Sequence, residues 1–130
     1  MKTLLLAGAF GLLSSATSFA ANLQCVSYSK AYDLAISVSD TRATIQVLRA
    51  DQQRNAYSLT NGEAIVLARA AEHHPDWARF EGQSKRKQNI TFSGKKTDLS
   101  SFGELRTNLS ISEDWTDTTS VMLQLDCVSK

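Results

Sequence analysis

The chain has 130 residues, of which 42% are hydrophobic and 21% charged, with 14 Lys and Arg against 13 Asp and Glu. That balance excludes a global field able to recruit nucleic acid or an anionic membrane surface. One proline and six glycines exclude a low-complexity or disordered chain.

The first residues read as a targeting segment. Lys2 is followed by apolar or small residues over 3–13 and a small-residue stretch over 14–20. Ser18-Phe19-Ala20 fits the small-x-small cleavage rule. The apolar run falls short of the roughly 20 residues that span a bilayer. The expectation is a signal peptide over 1–20, cleavage after Ala20, and export to the periplasm or the medium. Gln24, bulky and polar, precedes Cys25 and does not suit a lipid-attachment site. Residues 21–130 then form one small domain. Loss of Lys2 from the 14 basic residues leaves it with 13 basic and 13 acidic side chains.

The mature chain holds two cysteines, Cys25 and Cys127. An even pair in an exported chain reads as a disulfide. Closing a loop of about 100 residues, it constrains the unfolded chain by roughly 4–5 kcal/mol. Pairing also withdraws both thiols from nucleophilic chemistry.

Short alternating segments separated by polar turns dominate the rest, and that period argues for strands. Leu23 and Cys25 share a face in the first segment. Leu34, Ile36 and Val38 share one in the second. After a turn at Asp40-Thr41, Ala43, Ile45 and Val47 alternate with Thr44 and Gln46. Further on come Ile90 and Phe92, then Leu105, Thr107, Leu109 and Ile111. The last segment sets Val121, Leu123, Leu125 and Cys127 against Met122, Gln124 and Asp126.

Residues 57–74 admit two readings. Thr60 and Glu63 have capping-box spacing before an alanine-rich run that Pro75 would stop, which describes a helix. Asn61-Gly62 is instead a strong hairpin signal. It would set Leu59 opposite Ala64 and Tyr57 opposite Val66, with Ser58 opposite Ile65 and Ala56 opposite Leu67. The all-β surroundings favour the hairpin.

Eight or nine strands result, with longer links over 95–104 and 113–119. The predicted fold is all-β: a small antiparallel barrel or flattened sandwich of meander type. A disulfide between the first and last strands makes them neighbours and closes the sheet. Antiparallel closure needs an even count, so eight strands are expected.

Chemistry-bearing clusters are few. Glu72-His73-His74-Pro75-Asp76-Trp77 is the densest. Its histidines are adjacent, so in a strand they point to opposite faces, and no third histidine completes a zinc site. It reads as a polar turn, and no metal or cofactor is expected. Lys85, Arg86 and Lys87 precede the strand around Ile90, and Lys95 and Lys96 follow it. A hairpin would gather both groups at one end, where they suit an anionic partner. Trp115 lies in the polar stretch 112–120 and is a candidate contact for a ligand or partner. The other aromatics, Trp77 among them, are assigned mainly to the core. Asn89-Ile90-Thr91 and Asn108-Leu109-Ser110 match the glycosylation sequon. No serine sits in a G-x-S-x-G elbow.

These features describe a monomeric, non-catalytic binding or inhibitory module whose partner is a protein or small ligand outside the cytoplasm. The candidate contacts are Trp115, Lys85, Arg86 and Lys87. A small-ligand carrier of barrel type is the alternative, and a hydrolase using His73 or His74 is a weaker one. A membrane-spanning barrel fits poorly, because the segments carry polar residues on both faces.

Overall fold

A computed structural model describes residues 20–51, 57–113 and 120–130. The expected signal peptide, apart from Ala20, lies outside those residues, as do Ala56 and Trp115. Eight strands form one closed antiparallel barrel in chain order. They are β1 (Ala21–Ser27), β2 (Tyr32–Val38), β3 (Arg42–Ala50), β4 (Ala64–Arg69), β5 (Trp77–Gln83), β6 (Asn89–Lys95), β7 (Gly103–Ser112) and β8 (Val121–Ser129). A four-residue helix, α1 (Lys96–Leu99), lies between β6 and β7.

The period-two pattern explains the wall. Successive side chains of a strand point to opposite faces. Leu23, Leu34, Ile36, Ile45, Ile65, Leu67, Phe80, Ile90, Phe92, Leu109 and Ile111 all turn inward and are buried. Each such side chain contributes about 1.5–3 kcal/mol by leaving water. At 0–1% accessibility they belong to one hydrophobic core cluster. Phe80 and Phe92 face each other across β5 and β6 with ring centroids 6.1 Å apart. The outward rows include Gln24, Asp33, Thr44, Gln46, Arg79, Glu81, Arg106, Asn108, Gln124 and Asp126. No described helix is long and apolar enough to cross a membrane.

The closing seam is β1 against β8. Cys25 stands directly opposite Cys127, and the two form a disulfide spanning 102 positions of sequence. Both cysteines face the interior. The first and last strands are therefore hydrogen-bonded neighbours, as the topological argument requires.

Residues 64–69 form a strand, not the second half of a helix. Ile65 and Leu67 point inward while Val66 points to solvent. The expected pairing across Asn61-Gly62 is not made. The partner of β4 is β3, with Ile45 opposite Ile65 and Thr44 opposite Val66. Residues 60–63 make a tight turn, in which Glu63 N–H donates to the Thr60 carbonyl. Gly62 takes φ +85° there, and its N–H reaches the Val47 carbonyl at 2.9 Å. The nine-residue β3 gives β4 a ladder of five register pairs, longer than the segment 57–59 could offer.

Gly82 marks a close crossing in the wall. A Cβ there would stand 2.6 Å from the Val66 carbonyl oxygen. Glycine inside a strand commonly marks such an approach of another backbone.

Candidate functional site

The up-and-down order sorts the connections between two rims. Residues 28–31, 51, 57–63, 84–88, 113 and 120 lie at one rim. Residues 39–41, 70–76 and 96–102 emerge at the other, where β1 begins and β8 ends.

The second rim is plugged. From α1, Leu99 inserts into the barrel and is fully buried. Ala78 and Gly94, paired across β5 and β6, leave it room, since a Cβ on Gly94 would lie 3.4 Å from Leu99. Charges tie the connections above it. The Glu72 carboxylate accepts from Arg69 at 2.8 Å and from the Lys96 ammonium at 2.7 Å. The hydrogen bond from Lys96, then that from Arg69, holds the Glu72 carboxyl below its ordinary pKa. Arg69 also donates to the Asp40 carbonyl and lies 5.6 Å from the Phe80 ring centre.

The first rim is closed by polar groups. Ser27, Ser58, Glu63, Ser84, Gln88 and Asn89 are all buried there. The Ser84 hydroxyl donates to the Gln88 side-chain oxygen at 2.8 Å, and the Gln88 amide reaches the Ser58 carbonyl at 2.7 Å. Tyr32 extends its hydroxyl to accept from Leu59 N–H. Glu63 is only 8% exposed. One of its carboxylate oxygens accepts from Lys85 N–H at 2.6 Å. The other, Oε1, is buried with no hydrogen-bond partner among the described residues. A buried unsatisfied carboxylate oxygen costs free energy, and native structures keep few such groups.

Lys85, Arg86 and Lys87 project from this rim and are exposed. Their turn is held at both ends. Ser84 N–H donates to the Gln88 carbonyl and Lys87 N–H to the Ser84 carbonyl, both at 3.0 Å. Lys87 takes φ +66°. Arg86 reaches the Ser58 carbonyl at 3.3 Å. Glu113, at the end of β7, lines the same recess as Arg86, Lys87 and Gln88. Strand β7 ends and β8 begins at this rim. Trp115 itself lies outside the described residues.

Two expectations are corrected. The Lys95-Lys96 pair does not join Lys85, Arg86 and Lys87. Strand β6 runs from one rim to the other between them, about 20 Å at 3.3 Å per residue, and Lys96 is engaged with Glu72. Trp77 does not enter the core. It alternates with inward Ala78 and Phe80 and so faces outward, half-buried. His73 and His74 sit in the exposed 70–76 connection at the plugged rim. The His74 Nδ1 accepts from Asp76 N–H at 3.2 Å. Among the described residues no three His, Cys, Asp or Glu side chains converge as metal ligands. Of the two sequons, Asn89 is buried and its side chain accepts from Gln83, which keeps it from an enzyme in the folded chain. Asn108 lies on the outer wall.

The buried Glu63 was not legible as a rim residue. Its spacing from Thr60 suggests a helix cap, whereas the turn directs it under the 84–88 hairpin. Comparison with protein-family models, with curated proteins and with solved structures finds no match to this chain.

Proposed function

We propose that the protein is an exported, non-catalytic binding module whose recognition element is the 84–88 turn. The carrying observation is the turn itself: three adjacent exposed cations on a backbone fixed by the Ser84 and Gln88 bonds and by Glu63 beneath Lys85. A preorganised loop loses little conformational entropy on docking, which favours affinity. Exposed positive charge steers the encounter with a negative partner. The partner class is an acidic face of another protein. A small anion fits less well, because the Glu113 carboxylate lines the same recess. Recognition on the outside is favoured over carriage because Phe80, Phe92 and Leu99 are among the side chains buried in the interior.

Export fits the same reading. An internal disulfide is at home in an oxidising compartment, and residues 1–20 have the order of a signal peptide. The test is charge reversal. The protein is immobilised and exposed to the extracytoplasmic fraction of the producing cell. A stoichiometric partner should be retained by wild type and lost with Lys85→Glu, Arg86→Glu and Lys87→Glu combined. It should also be released by moderate salt. Retention by the triple variant, with its barrel intact by circular dichroism, would remove the turn from the interface.

A further inference from the structure

A second candidate lies on the outer wall, away from the polar rim. His73, His74, Trp77, Arg79, Ser93 and Asn108 line one shallow depression of about 280 Å³. We propose that this depression is a binding site for a neutral saccharide, with the Trp77 indole as its stacking platform.

Strand register aligns three of these side chains. Arg79 stands opposite Ser93, and Ser93 stands opposite Asn108, across β5, β6 and β7. All three point outward. Neighbouring strands are about 4.8 Å apart, so the row spans about 10 Å, the scale of two sugar rings. Trp77 lies two residues before Arg79 on the same face of β5, about 7 Å along the strand. The row therefore meets an aromatic surface at one end, and the 70–76 connection brings the imidazoles of His73 and His74 beside it.

The chemistry selects the ligand class. A pyranose ring has an apolar C–H face and a rim of hydroxyls. An indole accommodates the first by burying apolar area. Hydroxyls need groups that both donate and accept, and a carboxamide and a hydroxyl supply these. The Asn108 carboxamide and the Ser93 hydroxyl make no hydrogen bond to other described residues. They are available to a ligand. Small-molecule sites commonly combine an apolar or aromatic surface with a few placed polar groups.

Charge decides between neutral and anionic sugars. The Arg79 guanidinium is ion-paired with Glu81 and also reaches the Ala71 carbonyl. Its positive charge is thus already compensated, while its orientation is fixed. An anionic sugar would have to displace or approach the Glu81 carboxylate. A neutral ring has neither cost. The cationic turn at 84–88 lies at the opposite rim, so this site is independent of the proposed recognition element.

The probes are four neutral trisaccharides, cellotriose, maltotriose, tri-N-acetylchitotriose and mannotriose, with trigalacturonic acid as the uronic-acid comparison. Each is titrated into isotope-labelled full-length mature protein and followed by amide, indole and carboxamide NMR signals. At least one should shift the Trp77 indole and Asn108 carboxamide signals together, with a dissociation constant on the order of 1 mM. Asn108→Ala should weaken binding about tenfold while leaving the amide spectrum of the barrel in place. Trp77→Leu should abolish it, and Trp77→Phe should retain part. Trp115→Phe should have no effect. The proposal is overturned if no trisaccharide moves these signals in folded wild type. Shifts confined to Trp115, or equal affinity in Asn108→Ala, would place any sugar elsewhere and overturn it too. A clear preference for uronic-acid trisaccharides would overturn the neutral assignment.

Discussion

The two rims of this barrel close the same wall by opposite means. At one, α1 drives Leu99 into the interior and the Arg69, Glu72 and Lys96 charges meet above it. Glu72 there is shared by Arg69 and Lys96, so each of these three charges has a partner. At the other, the lid is a layer of serines, Gln88 and Glu63, with one Glu63 oxygen buried and unpartnered among the described residues. The plugged rim is arranged for stability. The polar rim carries a cost and presents three exposed cations above it. Structures that retain such a cost tend to do so at functional sites.

Cutting the seam should affect both rims at once. The Cys25–Cys127 disulfide joins the strands that close the barrel. Replacing both cysteines with alanine should cost about 4–5 kcal/mol by the loop-closure model. At 4–8 °C per kcal/mol for a domain of this size, the melting temperature should fall by roughly 15 °C or more. Hydrogen exchange should accelerate at both ends, whereas a fall of only a few degrees would mean that the ladder alone holds the seam.

The next effect separates the rims. Leu99→Ala removes a fully buried side chain and should cost about 2–5 kcal/mol. Exchange should accelerate first around β6 and the start of β7, with Lys87 and Gln88 amides keeping their protection. Glu63→Gln should behave in the contrary way. It removes a buried charge while keeping an acceptor for Lys85 N–H, and relief of such a charge is often neutral or favourable. Chemical denaturation should show stability unchanged within about 1 kcal/mol or raised. A loss above about 3 kcal/mol would show that Glu63 is a structural partner and would erase the contrast.

The smallest effect is in pH. The folded pKa of Glu72 is depressed, so its contribution is present above the carboxyl's unfolded value. That contribution is lost as pH falls through the folded one. Glu72→Gln should flatten the acid limb of the stability curve slightly, and a steeper limb would contradict the sign.

Much of the wall was legible because its signal is local. Leu34, Ile36 and Val38, or Leu105, Thr107 and Leu109, repeat every second residue, and the structure buries those faces. Closure was legible from the spacing of two cysteines. Trp77 shares that signal, for its alternation with Ala78 and Phe80 already placed it outside. Assigning aromatics to the core by type overrode the period. The rims were harder. Leu99 sits in a link without a repeating pattern. Lys95 and Lys96 are near Lys85, Arg86 and Lys87 in sequence, yet a strand separates them in space. Glu63 resembles a helix cap until β3 claims β4 as its partner.

On the proposed reading the partner meets the polar rim, not the plugged rim. A photo-crosslinking amino acid placed at Lys85 and, in a separate protein, at Ser101 tests this in the producing cell. Docking at the polar rim should give one discrete adduct from position 85 and none from position 101. An adduct from position 101 alone, or equal adducts from both, would contradict it.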